Sequence, residues 1–361
     1  MKKKFFIIAA LVASLALLAS LFYVFLVPKT ARTNKNSGTD STPVELKSFR
    51  GVLADVLNGI EEEAIKIEGA VPNLFPGGEN NNAETPATSS GDNSFTFAIL
   101  GDTQYFKPGN PQGNFQKVMA QITKLNPGLI VAEGDLVGNC DGGNECAGKY
   151  ADWKRIVGSF ASKTYAVQGN HDRTGRDKAD SVWCSSFNFP TNGPSGFSEQ
   201  VYSLDFGNSH FVFLDSDKPK LHLVNGEQRS WLEKDLSANK KENTFVFFHE
   251  PAYPVSSKIA ESLDVEPSER NALWQILEKH NVTAVFNGHE HIVSRRKIGS
   301  IYQFVFASTD SFDHDLPQPG IAEYANQGQE RFGLARVNGK EIIVEAHDSS
   351  GAILNSFTLS K

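Results

Sequence analysis

Apolar residues fall along this chain in three patterns, each predicting a different kind of element. Residues 5–27 are apolar almost without a break, interrupted only by Ser14, Ser20 and Tyr23. Between Val44 and Ile67 the apolar positions Leu46, Phe49, Leu53, Val56, Leu57 and Ile60 recur at helical spacing, after a suitable start at Thr42-Pro43. Beyond Phe95, short runs of Phe, Val and Ile alternate with helical patterns, clearest at Gln112–Leu125, Glu227–Leu236 and Glu269–His280. That alternation predicts an α/β layered domain over 95–361. Near the end, Ile301–Ala307, Phe332–Val337, Glu341–His347 and Ala352–Leu359 read as strands with no helix between them. Asn338-Gly339 is a hairpin signal between two of these.

The first run of about 23 residues would make roughly 35 Å of helix, enough to cross a bilayer. It ends in Phe22-Tyr23-Val24-Phe25-Leu26-Val27-Pro28, bulky where a signal peptidase needs small side chains, so an uncleaved signal-anchor is expected. Residues 1–4 would be the cytoplasmic end, and residues 28–94 a linker with a stalk helix at 44–67. Setting aside Lys2, Lys3 and Lys4, the remaining chain carries 32 basic against 42 acidic residues, a charge of −10. This fits a single-pass membrane protein whose main folded part lies outside the cytoplasm.

Composition narrows the classes further. Hydrophobic residues make up 40% and aromatics 11%, with 26 Phe, which excludes a disordered or polybasic chain. The net charge of −7 argues against holding nucleic acid by counterion release. Three cysteines are too few for a disulfide scaffold, although Cys140 and Cys146 could close a local bridge in an exported protein. The oligomeric state is not readable from the sequence.

The chemistry is concentrated at strand ends. Phe95–Leu100 runs into Gly101-Asp102-Thr103-Gln104, and Gly128–Ala132 into Gly134-Asp135. Thr164–Val167 leads to Gly169-Asn170-His171-Asp172, Phe245–Phe248 to His249, and Val282–Phe286 to Gly288-His289-Glu290-His291. In α/β sheets, ligands bind beyond the carboxyl ends of strands. In four of the five a glycine precedes the ligand type and would let the chain turn tightly. Carboxylate, amide and imidazole donors suit Mn, Fe or Zn, and there are too many for one tetrahedral ion. Two metals sharing a carboxylate, with a bridging water as nucleophile, is the simplest solution.

These motifs resemble those of the calcineurin-like metallophosphoesterases, which include the purple acid phosphatases. The resemblance covers about residues 95–310 and implies a four-layer sandwich of two mixed β-sheets flanked by helices. It implies that Asp135 bridges two metals, with Asp102 and His291 on one and Asn170, His249 and His289 on the other. His171 would then protonate the leaving oxygen as general acid, and Asp172 would hold or polarise His171. Most family members have His where this chain has Gln104. An amide oxygen there still serves as a ligand and favours Mn or Fe over Zn. The Asp-x-Gln variant is similar to a branch that includes manganese-dependent nucleoside-diphosphate-X hydrolases. The tyrosine that colours purple acid phosphatases would fall at Gly138.

Substrate contacts are expected from Asn170, from Arg173 and Arg176 in the following loop, and from His314 on a rim formed by Asp310–Leu316. The expected substrate is a phosphorylated small molecule, a nucleotide, or a lipid or cell-wall phosphate. Two rival readings are a non-catalytic phosphate- or metal-binding module on a membrane stalk, and an assembly partner acting through the stalk helix.

Overall fold

The computed structural model describes residues 93–107, 113–316 and 320–359. The apolar N-terminal run, the expected stalk helix and the linkers lie outside the described residues. Two mixed sheets form the frame. The first has the order β13-β12-β11-β1-β2-β3, built from β1 (Ser94–Leu100), β2 (Leu129–Ala132), β3 (Thr164–Ala166), β11 (Arg331–Asn338), β12 (Glu341–Asp348) and β13 (Ile353–Leu359). The second has the order β10-β8-β9-β7-β6-β5-β4. Its strands are β4 (Tyr202–Phe206), β5 (Ser209–Phe213), β6 (Asn243–Phe247), β7 (Ala284–Asn287), β8 (Val293–Ile298), β9 (Ile301–Phe306) and β10 (Tyr324–Asn326). Helices α1 (Asn114–Leu125), α2 (Asn144–Val157), α3 (Asp177–Ser186), α4 (Gly226–Ala238) and α5 (Pro267–Lys279) flank them.

Strand alternation explains how the layers stack. Along β5, β6 and β7 the residues Phe211, Phe245 and Phe286 point toward the first sheet, where Phe97 meets their rings at centroid distances of 5.2, 5.1 and 6.0 Å. Their neighbours Val212, Val246 and Val285 point the other way and pack with Leu232 of α4 and with Leu273 and Leu277 of α5. Each fully buried Phe contributes about 1.5–3 kcal/mol, so much of the phenylalanine excess holds the two sheets face to face. β1, β2 and β3 run parallel, as do β5, β6, β7 and β9, and their carboxyl ends form one edge.

The terminal strands form as the pattern predicts, with β11 pairing antiparallel to β1 and turning into β12 through Gly339-Lys340. Two helices were not legible. In α2 the buried stripe is Cys146, Tyr150, Trp153 and Val157, mixed in chemistry and placed just after a Gly-Gly-Asn segment. The disulfide Cys140–Cys146 forms, and ties the β2 loop to the first turn of α2. Cys184, the free thiol, is half-buried beside the Ser198 carbonyl.

Candidate metal centre

At the shared edge the chain makes turns that side chains normally avoid. Asp102, Asp135, His289 and His291 all have left-handed backbone, with φ of 57, 51, 67 and 51°. Such conformations cost about 1–3 kcal/mol each for non-glycine residues and gather at functional sites. The glycines beside them serve mainly to make room. Gly169 and Gly288 are not left-handed, yet a Cβ at Gly169 would lie 2.2 Å from Asp135 Oδ1, and one at Gly288 would lie 2.5 Å from the Glu133 carbonyl oxygen.

Each histidine is held from outside by a carbonyl. His249 Nδ1–H donates to Glu133 O at 2.7 Å, His289 Nε2–H to Glu261 O at 2.9 Å, and His291 Nδ1–H to Phe312 O at 2.7 Å. A carbonyl can only accept, so each imidazole's inner nitrogen is a bare lone pair in the neutral ring. Those lone pairs face further acceptors. His249 Nε2 and His289 Nδ1 lie 3.2 and 3.1 Å from Asn170 Oδ1. His291 Nε2 lies 3.3 Å from Asp102 Oδ1.

Asp135 touches both groups. Its Oδ2 is 3.4 Å from His249 Nε2 and 3.4 Å from the Gln104 amide nitrogen, which in turn is 3.2 Å from His291 Nε2. The Gln104 amide oxygen is buried without a partner, and a half-turn of the amide exchanges it with the nitrogen. Ligand atoms of Asp102, Asp135 and His249 lie within 4.8 Å of one another. Acceptors packed this closely repel unless a cation lies among them, so the residues fit metal ions.

The electrostatics carry the same demand. Burial lowers the His249 pKa, but Asp135, followed by Asp102 and Asp217, raises it more, leaving it well above the usual range. Burial and the neighbouring His249 hold His289 well below that range. Burial raises Asp135, but His249 and His171 draw it down more strongly, keeping it a carboxylate.

The structure brings Asp102, Gln104, Asp135, Asn170, His249, His289 and His291 together. His171 sits beside them, its backbone N–H donating to Asp135 Oδ1 at 2.8 Å. Asp172 does something other than the expected polarising of His171. Its carboxylate accepts from the backbone N–H groups of Leu136, Val137 and Gly169 at 3.0, 3.1 and 3.1 Å, and is approached by the Tyr150 hydroxyl. It fixes the two loops, and burial and the Asp135 charge push its pKa up to about 7. The ring of His171 instead meets Asn139, with Nδ1 3.2 Å from Oδ1. Sequence reasoning missed Asn139, because no motif marks a residue four places after the aspartate.

Arg173 also departs from expectation. It is buried, paired with Asp180 at 2.8 Å and donating to Asp217 O at 2.8 Å, so its guanidinium is committed to structure. Arg176 is exposed at the start of α3. His314 stacks on His291 with ring centroids 4.1 Å apart, and burial with the His291 charge pushes its pKa down to about 4.

A centre of this donor set at the edge of two mixed sheets defines a class, and a family model confirms it: that of the calcineurin-like phosphoesterases matches residues 95–293, more than half of the chain. The chain belongs to that family. Purple acid phosphatase 13 of Arabidopsis thaliana is 28% identical over 142 residues, covering 38% of this chain and 26% of that one. Tartrate-resistant acid phosphatase type 5 of Rattus norvegicus is 26% identical over 222 residues, covering 55% of this chain and 66% of that one. Among solved structures, the yellow lupin (Lupinus luteus) purple acid phosphatase PPD1 superposes with a TM-score of 0.64 at 16% identity, over 76% of this chain and 55% of that one. This chain spans less than two thirds of each of these relatives.

Proposed function

We propose that this chain is a membrane-anchored hydrolase of phosphate esters or phosphoanhydrides that works with two metal ions, its catalytic domain outside the cytoplasm. The observation that carries the reading is the pair of acceptor clusters with Asp135 common to both. Asp102, Gln104, His291 and Asp135 would hold one ion, and Asp135, Asn170, His249 and His289 the other. Mn or Fe suits the amide at Gln104. When bound, such ions supply Lewis-acid activation of water and neutralisation of phosphoryl charge.

The chain's own residues do the rest. Three backbone carbonyls fix the imidazole tautomers, so none of the three histidines needs to reorganise. Asp172 locks the Leu136–Val137 and Gly169–Asp172 loops, which keeps His171 at a constant offset from Asp135. With Nδ1 turned to Asn139, His171 uses Nε2 to give a proton to the leaving oxygen. The apolar run at 5–27 supports the membrane anchor. The substrates in view remain a phosphorylated small molecule, a nucleotide, or a lipid or cell-wall phosphate.

The test is hydrolysis by the full chain, stripped of metal and reloaded with Mn, Fe or Zn. The panel holds an aryl monoester, an aryl diester and a nucleoside diphosphate-linked ester. Metal-dependent turnover is expected. Bound metal with no turnover on any ester would leave a phosphate- or metal-binding module instead.

A further inference from the structure

Two aromatic rings beside the metal centre are left out of the protein's core. Tyr105 directly follows the ligand Gln104 and is 43% exposed, and Phe312 is 69% exposed. Their rings lie 5.3 Å apart at 55°, forming a wedge. The Tyr105 ring also stands edge-on to His291, at 6.3 Å and 88°.

The wedge is tied to the ligands by the main chain. Phe312 O is the carbonyl that fixes the His291 tautomer, and Asp310 N–H donates to Asp102 O at 3.3 Å. Ser311 Oγ anchors the same segment to Ala307 O at 2.7 Å. These rings are therefore held at the centre at the cost of solvent exposure, and neither stabilises either core cluster. A buried aromatic gives its area to folding, whereas a fixed, exposed pair has ring faces to give to a ligand. Faces and edges at this tilt suit another flat ring better than an alkyl chain, because ring quadrupoles favour offset and edge-on contacts.

We propose that Tyr105 and Phe312 form a subsite for a flat aromatic group carried by the phosphate substrate, either an aryl ester or a nucleobase. This rests on the phosphoesterase reading only in that a phosphoryl group must anchor the other end of the ligand. The two rings offer faces and edges rather than charge, so the preference should be expressed as affinity for the organic part of the substrate.

Equilibrium binding to the manganese-loaded full chain tests it without requiring turnover. The probes are methylphosphonate, phenylphosphonate and adenosine 5′-(α,β-methylene)diphosphate, which separate a ring at phosphorus from a ring one ribose away. At least one ring-bearing probe should bind about tenfold tighter than methylphosphonate, from base–aromatic stacking. Tyr105→Ala should erase that ratio and leave methylphosphonate affinity and thermal stability unchanged; Phe312→Ala, which keeps the carbonyl that holds His291, should erase the ratio too, while Tyr105→Phe should keep it. Equal affinity for all three probes in the native chain overturns the subsite, as does a ratio that survives the double alanine variant. A ring preference in a protein that hydrolyses no ester would sink the hydrolase reading alone. Failure of every phosphonate to bind the metal-loaded chain would sink both.

Discussion

The two sheets contribute opposite halves of the centre. β1, β2 and β3 of the first sheet end in oxygen donors, Asp102, Asp135 and Asn170, whereas β6 and β7 of the second end in the imidazoles of His249, His289 and His291. They are also held by opposite groups. The carboxylates accept from backbone N–H, Asp102 from His289 at 3.0 Å and Asp135 from His171 at 2.8 Å. The imidazoles donate to backbone carbonyls. Two of these supports cross the seam, since the Glu133 carbonyl under His249 follows β2 and the His289 N–H under Asp102 follows β7. Neither half of the site is therefore organised without the other.

The sharpest way to break this asymmetry is to compare one ligand from each side. Asp135→Asn should remove both ions and lower turnover by more than about 10³-fold, because its Oδ2 belongs to both clusters. His289→Ala, from the second sheet, should cost one ion and leave the other. Metal analysis of the purified variants decides it, and equal metal loss in the two would refute a shared Asp135. His171→Ala comes next. It should keep both ions and lose about 10²–10⁴-fold in kcat, the usual share of a general acid; an inactive variant lacking metal would instead make His171 a structural support of the centre.

What could be read in advance follows from what repeats. The strand-end ligands were legible because buried β runs stop abruptly at Asp, Asn or His, and five such stops cannot be chance turns. The three supporting carbonyls were not, since Glu133, Glu261 and Phe312 act through main-chain oxygen that every residue possesses. Arg173 was misjudged because its partners Asp180 and Asp217 are brought to it by α3 and the loop after β5, which only the fold decides. Asp172 looked like a partner for its neighbour His171, but adjacent side chains in a loop diverge, and its oxygens turn inward to three N–H groups.

Asn139 offers a smaller and more selective effect. Its backbone is left-handed, at φ 53°, and the next residue is welded to the acid's loop by Cys140 N–H donating to His171 O at 2.8 Å. Asn139→Ala should lower kcat about tenfold for alkyl phosphates, whose leaving oxygen needs the proton, and little for 2,4-dinitrophenyl phosphate, which leaves without it. A uniform loss across leaving groups would make Asn139 a merely structural residue.

The last contrast lies within the second sheet itself, between the ligand histidines and His210 on β5. The ligands each have one nitrogen held by a carbonyl and the other turned into the ligand cluster, whereas both nitrogens of His210 are held by carboxylates, Nδ1 by Asp205 at 2.7 Å and Nε2 by Asp235 at 2.8 Å. Two donors are needed, so His210 must be the imidazolium. Burial lowers its pKa, but the two carboxylates raise it more, to about 9. A raised folded-state value means that the stabilisation is complete below the unfolded value of about 6.5 and is lost as pH rises through about 9. Asp205 is half exposed, so solvent screening reduces the effect to about 2 kcal/mol. His210→Gln should therefore destabilise the protein by about 2 kcal/mol more at pH 6 than at pH 10. Denaturant unfolding of both proteins at the two pH values measures that difference. A gap independent of pH would mean that His210 is neutral and that its two carboxylates do not hold it as the imidazolium.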